Sequence, residues 1–220
     1  IPVLLAGNDV IGQAHTGTGK TASYALPMLQ LISPKQGIQG IIMAPTRELA
    51  LQITAEINRF STNTGIRTAT IYGGQGMGIQ LDALRKKPEI IVATPGRLID
   101  HLKRGTIKLN NVRHVVLDEA DEMLDLGFRE DLEFILSEAP ENRRTLMFSA
   151  TVPRAIVNLA KSYQKDAIRI TTVSDTKQHA DIEYIAMTVS PRDGENAIIN
   201  ALRYYEAPNA LVFCHTRVMV

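Results

Sequence analysis

The stretch Ala14-His15-Thr16-Gly17-Thr18-Gly19-Lys20-Thr21, "AHTGTGKT", decides how the rest of the chain is read. It fits the pattern G-x-x-x-x-G-K-[ST] at every fixed position but the first, where Ala14 stands for glycine. A loop of this kind aims backbone N–H groups at phosphate oxygens, and the following helix adds the positive end of its dipole. Gly17 and Gly19 permit the backbone angles and the close approach. Lys20 can then reach the β- and γ-phosphates, and the Thr21 hydroxyl can bind Mg²⁺. Ala14 adds one methyl group at a strand end and leaves that mechanism intact. The plainer alternative is a glycine-rich turn that happens to precede a lysine. The order strand, loop, helix argues against it.

Working outward, short β-rich runs alternate with helical patterns. "DVIGQA" (9–14) leads into the loop, and a helix follows from Lys20 to about Ile32. "GIIMAP" (40–45), "GIRTATIYGG" (65–74) and "EIIVATP" (89–95) each precede a helical pattern, near 46–62, near 77–87 and from Pro95. "VRHVVLDEA" (112–120) precedes helices over 121–138, "RRTLMFSAT" (143–151) a helix near 153–163, and "AIRIT" (167–171) ends the series. Nearly continuous apolar strands are expected where both faces of a sheet are covered. The alternation predicts an α/β fold with a mostly parallel sheet and helices on both faces. Open sheets of this type place ligands at the carboxyl ends of their strands.

The polar run at 172–181 reads as a linker. Beyond it, 182–190, 194–206 and 210–216 read as strand, helix, strand. A lone β-α-β unit of that size buries too little core. The expectation is a truncated second domain over 182–220, with further sequence before Ile1 as well, since the chain opens on apolar residues in mid-pattern.

Composition sets bounds on function. With 45% hydrophobic and 21% charged residues, the 220-residue chain is ordinary globular material. A net charge of +1 means any nucleic-acid site must be local. A single cysteine excludes an internal disulfide and fits a reducing, cytoplasmic setting. No apolar run approaches the roughly 18–20 residues of a membrane span, and the N-terminus lacks the basic region of a signal peptide.

"VVLDEADEML" (115–124) sets Asp118 and Glu119 at the end of an apolar strand. In a nucleotide hydrolase one such acid holds the metal and the next orients the attacking water. An acidic helix start is the alternative, since the dipole favours it. His101, His114 and His179 lack metal-ligand spacing and read as structural or surface residues. Arg85-Lys86-Lys87 and Arg143-Arg144 read as solvated faces, and Cys214 as an inert core thiol on an apolar strand.

Read together, these residues resemble the DEAD-box RNA helicases. Asp118-Glu119-Ala120-Asp121 spells the signature. "AHTGTGKT" looks like the family's ATP loop, "PTRELA" (45–50), "GG" (73–74) and "TPGR" (94–97) like its RNA motifs, and "SAT" (149–151) like the motif that couples the two sites. "LVFCHTR" (211–217) looks like the opening motif of a second RecA-like domain.

The resemblance implies a RecA-like P-loop domain over 1–171, a linker over 172–181 and the start of a second RecA-like domain over 182–220. It implies ATP and Mg²⁺ at Ala14 to Thr21. Lys20 and Thr21 would take phosphate and metal, Asp118 the metal, and Glu119 the role of catalytic base. Ser149 and Thr151 would pair with Asp121 to link nucleotide state to domain closure. Thr46, Arg47, Gly74, Thr94, Gly96 and Arg97 would contact RNA through its backbone, without reading sequence. Gly127 and Phe128 in "DLGF" carry a structural role. Three departures stand out: His15 replaces the family's usual Gln, the upstream adenine-reading segment is absent, and so is the arginine-rich motif of the second domain. A DNA helicase or translocase of the same superfamily, and a nucleotide- and RNA-binding fragment without catalysis, remain alternatives.

Overall fold

Seven of the apolar runs pair into one sheet. The computed structural model describes residues 1–15, 17–172, 183–206 and 208–214. The strands are β1 Val10–Gln13, β2 Gly40–Met43, β3 Thr68–Ile71, β4 Ile90–Ala93, β5 His114–Leu117, β6 Arg144–Ser149 and β7 Ile168–Thr171. Their order is β3-β4-β2-β5-β6-β1-β7, and every neighbouring pair is parallel. This is the α/β fold expected from the alternation. One helix, α1 Pro2–Leu5, had no sequence signal beyond its N-terminal proline. The others are α2 Lys20–Leu31, α3 Arg47–Phe60, α4 Met77–Arg85, α5 Pro95–Lys103, α6 Ala120–Asp125, α7 Arg129–Glu138 and α8 Arg154–Tyr163.

Successive side chains of a strand point to opposite faces, so the apolar runs feed two cores. Ile42, Val92, Val116, Leu146 and Phe148 pack under α1, α2 and α3, with Tyr24, Met28, Ile53 and Ile57. Ile41, Met43, Ile91, Val115, Leu117 and Met147 face the other way, against α5 to α8, with Leu98, Met123, Ile135 and Ile156. Each of these side chains, removed from water, contributes about 1.5–3 kcal/mol. β7 is one of the two edge strands, and its residues stay exposed.

Buried polar side chains lock the strand ends. Asp9 takes the Thr145 N–H at 2.9 Å and the Lys165 N–H at 2.8 Å, tying β1 to β6 and to the approach to β7. Glu89, fully buried, takes the Lys35 and Arg67 N–H groups at 2.8 and 2.7 Å. Arg143 is buried as well, donating to the carbonyls of Ala139 and Pro140, each at 2.9 Å. The reading of Arg143 as part of a solvated face is therefore corrected: it satisfies carbonyls at the end of α7. α6 stops at a left-handed glycine, Gly127 (φ +86°). The Phe128 N–H reaches back to the Met123 carbonyl and the Gly127 N–H to Leu124, both at 3.0 Å.

The chain divides into two units, Ile1–Val173 and Ser174–Val220. In the second, a 3-10 turn, Pro191–Asp193, leads into α9, Gly194–Tyr205, where the helical pattern placed a helix. The strands expected on either side do not form over 183–190 or 210–214. A helix closes its own hydrogen bonds, whereas a strand exists only with a partner; α9 buries no residue. Cys214 is half-buried and outside any strand, which corrects its reading as a core thiol on an apolar strand. Thr16, His179, residues 173–181 of the expected linker and 215–217 of "LVFCHTR" lie outside the described residues. No helix among the described residues is long and apolar enough to cross a membrane.

Candidate functional site

Because all seven strands run the same way, their carboxyl ends share one edge of the sheet. The loop after β1 turns into α2 through two left-handed glycines, Gly17 (φ +78°) and Gly19 (φ +83°). Nothing lies within 4 Å of where a Cβ would sit on either. Backbone angle, not crowding, demands glycine, and the loop is left open on that side. Ala14 continues the ladder, its N–H bonded to the Ser149 carbonyl at 3.1 Å. Thr18 closes the turn by donating its hydroxyl to the His15 carbonyl at 2.7 Å.

Lys20, first residue of α2, points across to the end of β5. Its Nζ donates to Glu119 Oε1 at 2.7 Å, with side chains 8% and 13% exposed. Asp118 is 3% exposed. Its Oδ2 accepts from the Tyr24 hydroxyl at 2.8 Å and its Oδ1 from the Glu119 N–H at 3.0 Å. Burial pushes the Asp118 carboxyl up, while the Tyr24 hydroxyl and Lys20 pull the other way. The Thr21 side chain acts to lower the same Tyr24 phenol, against the larger push of burial and Asp118. Thr21 and Asp118 thus bring a hydroxyl and a carboxylate to one place below the loop. Hard oxygen donors of this kind suit Mg²⁺. Gly17, Lys20, Thr21, Asp118 and Glu119 border one cavity of about 400 Å³, walled on its far side by α3. Tyr24 was missed in the sequence, where it reads as one more apolar position of α2.

The "SAT" segment meets the acidic cluster at close range. The Asp121 N–H donates to Ser149 Oγ at 3.2 Å. The Thr151 N–H and hydroxyl both donate to Asp121 Oδ2, at 2.9 and 2.8 Å. Burial alone would raise Asp121, but the hydrogen bonds from Ser149 and Thr151 outweigh it and hold the carboxyl below its ordinary value.

The remaining candidates follow β2, β3 and β4, the three adjacent strands at the opposite end of the sheet order. Thr46 caps α3, its hydroxyl accepting the Leu49 N–H at 3.3 Å. Arg47 lies 3.6 Å from Glu48 and sets its guanidinium over the Tyr72 ring, 5.7 Å from the centroid. Gly74 is left-handed (φ +83°) with open space where a Cβ would be. The Thr94 N–H bonds the Ile71 carbonyl at 3.0 Å, and Arg97 donates to the Gln75 carbonyl at 2.9 Å. Gly96 lies in the first turn of α5. The edge is thus divided. The phosphate-loop and acidic residues follow β1 and β5, the "SAT" hydroxyls follow β6, and the hydroxyl, glycine and guanidinium group follows β2 to β4.

The family model described as DEAD/DEAH box helicase matches residues 1–159. The chain is 43% identical over 218 residues to the DEAD-box ATP-dependent RNA helicase CshA of Bacillus subtilis, an alignment covering 99% of this chain and 44% of that protein. It is equally similar, at 43%, to CshA of Bacillus cereus, covering 42% of that protein. The chain therefore spans less than half the length of these relatives. Among solved structures, it is similar to a DEAD box protein from the hyperthermophile Methanococcus jannaschii, with TM-score 0.76 and 43% identity over 92% of this chain and 55% of that one. A hypothetical ATP-dependent RNA helicase from Sulfolobus tokodaii gives TM-score 0.72 at 38% identity, over 78% of this chain and 50% of that one. On the family match over most of its length and these identities, this chain belongs to the DEAD/DEAH box helicase family.

Proposed function

We propose that this chain is the first RecA-like half of an ATP-dependent RNA helicase core, with domain 1 over 1–171, a linker over 172–181 and the start of a second domain over 182–220. The observation that carries the reading is the divided sheet edge: a glycine loop with its lysine and acids at one end, a row of hydroxyl, glycine and guanidinium groups at the other, and the Ser149–Asp121–Thr151 bonds beside the acids. On ATP binding, the loop amides and Lys20 take the phosphates, and Lys20 must leave Glu119 to do so. That exchange frees the Glu119 carboxylate to orient the attacking water. Asp118 and Thr21 would hold Mg²⁺, which supplies charge neutralisation on the phosphates when bound. Thr46, Arg47, Gly74, Thr94, Gly96 and Arg97 take successive backbone groups of single-stranded RNA, so binding ignores base sequence. Asp121, Ser149 and Thr151 pass nucleotide state to the domain that closes over the RNA, a two-state closure biased by both ligands. Cytoplasmic residence fits the RNA partner. By itself the chain is expected to bind nucleotide and RNA with little turnover.

Calorimetry with ADP and Mg²⁺ tests the loop: Lys20→Ala is expected to weaken ADP at least about tenfold, the equivalent of 1.4 kcal/mol. Unchanged affinity would remove Lys20 from the site. Anisotropy with matched RNA and DNA oligonucleotides separates the alternatives, because equal affinity for DNA would favour a DNA translocase.

A further inference from the structure

His101 has no ligand spacing in the sequence, yet it is fully buried, and Gln80 beside it is 1% exposed. Gln80 Nε2 donates to the Tyr72 carbonyl at 2.8 Å. A carbonyl only accepts, so the amide must face it with nitrogen, and Gln80 Oε1 is left to accept. Its partner is His101 Nε2 at 3.0 Å, which must therefore carry the proton. The other ring nitrogen, Nδ1, meets the Thr106 hydroxyl at 2.8 Å, and that hydroxyl is also shared with the His101 carbonyl at 3.0 Å. The far end of the chain of bonds through Gln80 is a loop carbonyl.

That loop, Tyr72-Gly73-Gly74-Gln75, is gripped at several points. Besides Gln80 on Tyr72, Arg97 holds the Gln75 carbonyl at 2.9 Å, and Thr94 holds the preceding Ile71 carbonyl at 3.0 Å. The Tyr72 ring in turn seats the Arg47 guanidinium. Members of all three RNA-candidate segments therefore converge on four residues. Only one of these grips comes from side chains wholly out of water.

We propose that Gln80 and His101 are positioning residues for RNA binding: by fixing the Tyr72 carbonyl they set the Gly73–Gly74 backbone and the Arg47 guanidinium in register for one stretch of RNA backbone. This rests on the RNA reading of Arg47 and Gly74 given above. A buried pair of this kind acts only through the loop, so its loss should be felt at the RNA and not at the nucleotide.

The test uses the 220-residue chain, a fluorescein-labelled oligouridylate and fluorescent ADP. Gln80→Leu removes the grip but leaves the His101 N–H buried without an acceptor. The double variant Gln80→Leu/His101→Phe also removes that stranded N–H, so the Tyr72 carbonyl is left as the group of this chain that loses its donor. Both variants are expected to bind RNA about tenfold more weakly, with ADP affinity unchanged. Amide exchange in the peptide spanning 72–76 is expected to quicken. The melting temperature is expected to fall in the single variant and recover in part in the double, which no longer buries an unpaired His101 N–H. Arg47→Ala is measured alongside. If it weakens RNA binding and the double variant does not, the positioning role is overturned while the RNA reading stands. If neither changes RNA binding, the RNA reading itself fails. Parallel loss of ADP and RNA binding would also overturn the proposal, by showing a general structural role.

Discussion

Replacing Tyr24 by Phe tests how α2 holds the carboxylate beneath the phosphate loop. The substitution deletes one oxygen and keeps the ring, so the tilted contact with Phe148, centroids 5.1 Å apart, is retained. What is lost is the 2.8 Å hydrogen bond to Asp118 Oδ2. Both ends are out of water, Tyr24 at 0% and Asp118 at 3% exposure. Burial and the adjacent carboxylate push the Tyr24 phenol well above its ordinary value, so it stays a donor wherever the chain is folded. A hydrogen bond to a charged group contributes about 1.5–3 kcal/mol, and a buried acceptor stripped of its donor carries a desolvation cost of similar size. The expected loss is about 2 kcal/mol of unfolding free energy, or roughly 4–8 °C in melting temperature for a chain of this size. Urea unfolding followed by circular dichroism, without nucleotide, measures it. A cycle with Asp118→Asn isolates the pair, with an expected coupling of about 1 kcal/mol or more. A Tyr24→Phe loss below about 0.5 kcal/mol, the ordinary scale of an inert surface change, would refute the reasoning. So would strict additivity in the cycle.

Two further outcomes follow from features away from the site. Burial, with the Arg144 and Arg113 guanidiniums nearby, pushes His114 down to about 4. Below the unfolded value of about 6.5, the unfolded chain takes up a proton that folded His114 refuses. Its contribution is therefore complete above about pH 6.5 and is lost as the pH falls toward 4, by about 3 kcal/mol in all. Wild type should lose about 2 kcal/mol more than His114→Gln between pH 7.5 and pH 5 in urea unfolding; equal losses would contradict the assignment. Gly127→Ala should destabilise by about 1 kcal/mol or slightly more, because the left-handed angle (φ +86°) closes the α6 turn. Since no atom lies within 4 Å of the added Cβ, a loss much above that, read as a melting shift, would point to a contact not accounted for.

Much of the architecture was legible because period and punctuation agree. "GIIMA" (40–44) and "EIIVA" (89–93) are too short and too continuously apolar for a surface helix, and a helix-start signal follows each, Thr46 after the first and Pro95 after the second. The site was legible through spacing, since Lys20 and Thr21 are fixed by the loop and Asp118 and Glu119 by a strand end. Buried polar groups were not. Arg143 reads as part of a solvated face because charge is usually solvated, and nothing local shows that it, Glu89 or Asp9 meets backbone groups left over where strands and helices end. Tyr24 was hidden for the opposite reason: its ring suits the apolar stripe of α2, and only the fold brings Asp118 to its hydroxyl. The runs at 183–190 and 210–214 show the limit of pattern alone, because alternation specifies which face a strand would bury and cannot supply the neighbour that makes it a strand.

The backbone itself singles out Glu119. Six described residues other than glycine have positive φ: Lys35, Asn63, Lys87, Glu119, Asp166 and Glu206. Five are exposed, at turns or a helix end, while Glu119 alone is half-buried. It sits at φ 50°, ψ 53° as the residue that starts α6. For a non-glycine residue that angle costs on the order of 1–2 kcal/mol. A glycine would remove the strain, but it would also remove the carboxylate that meets Lys20 at 2.7 Å. The strain is held by neighbours on both sides: Asp118 Oδ1 takes the Glu119 N–H, and the Met123 N–H closes the first turn on the Glu119 carbonyl at 3.1 Å. A strained residue kept in place by its surroundings is a marker of function, with the inference running from the observed angle to the role. Here it falls on the carboxylate proposed as the catalytic base. The same left-handed turn that aims this carboxylate at Lys20 lets α6 begin one residue later, which brings Asp121 to Ser149 and Thr151. One backbone kink thus sets both the acid and its link to the "SAT" segment, so a change that relaxes Glu119 should disturb the two together.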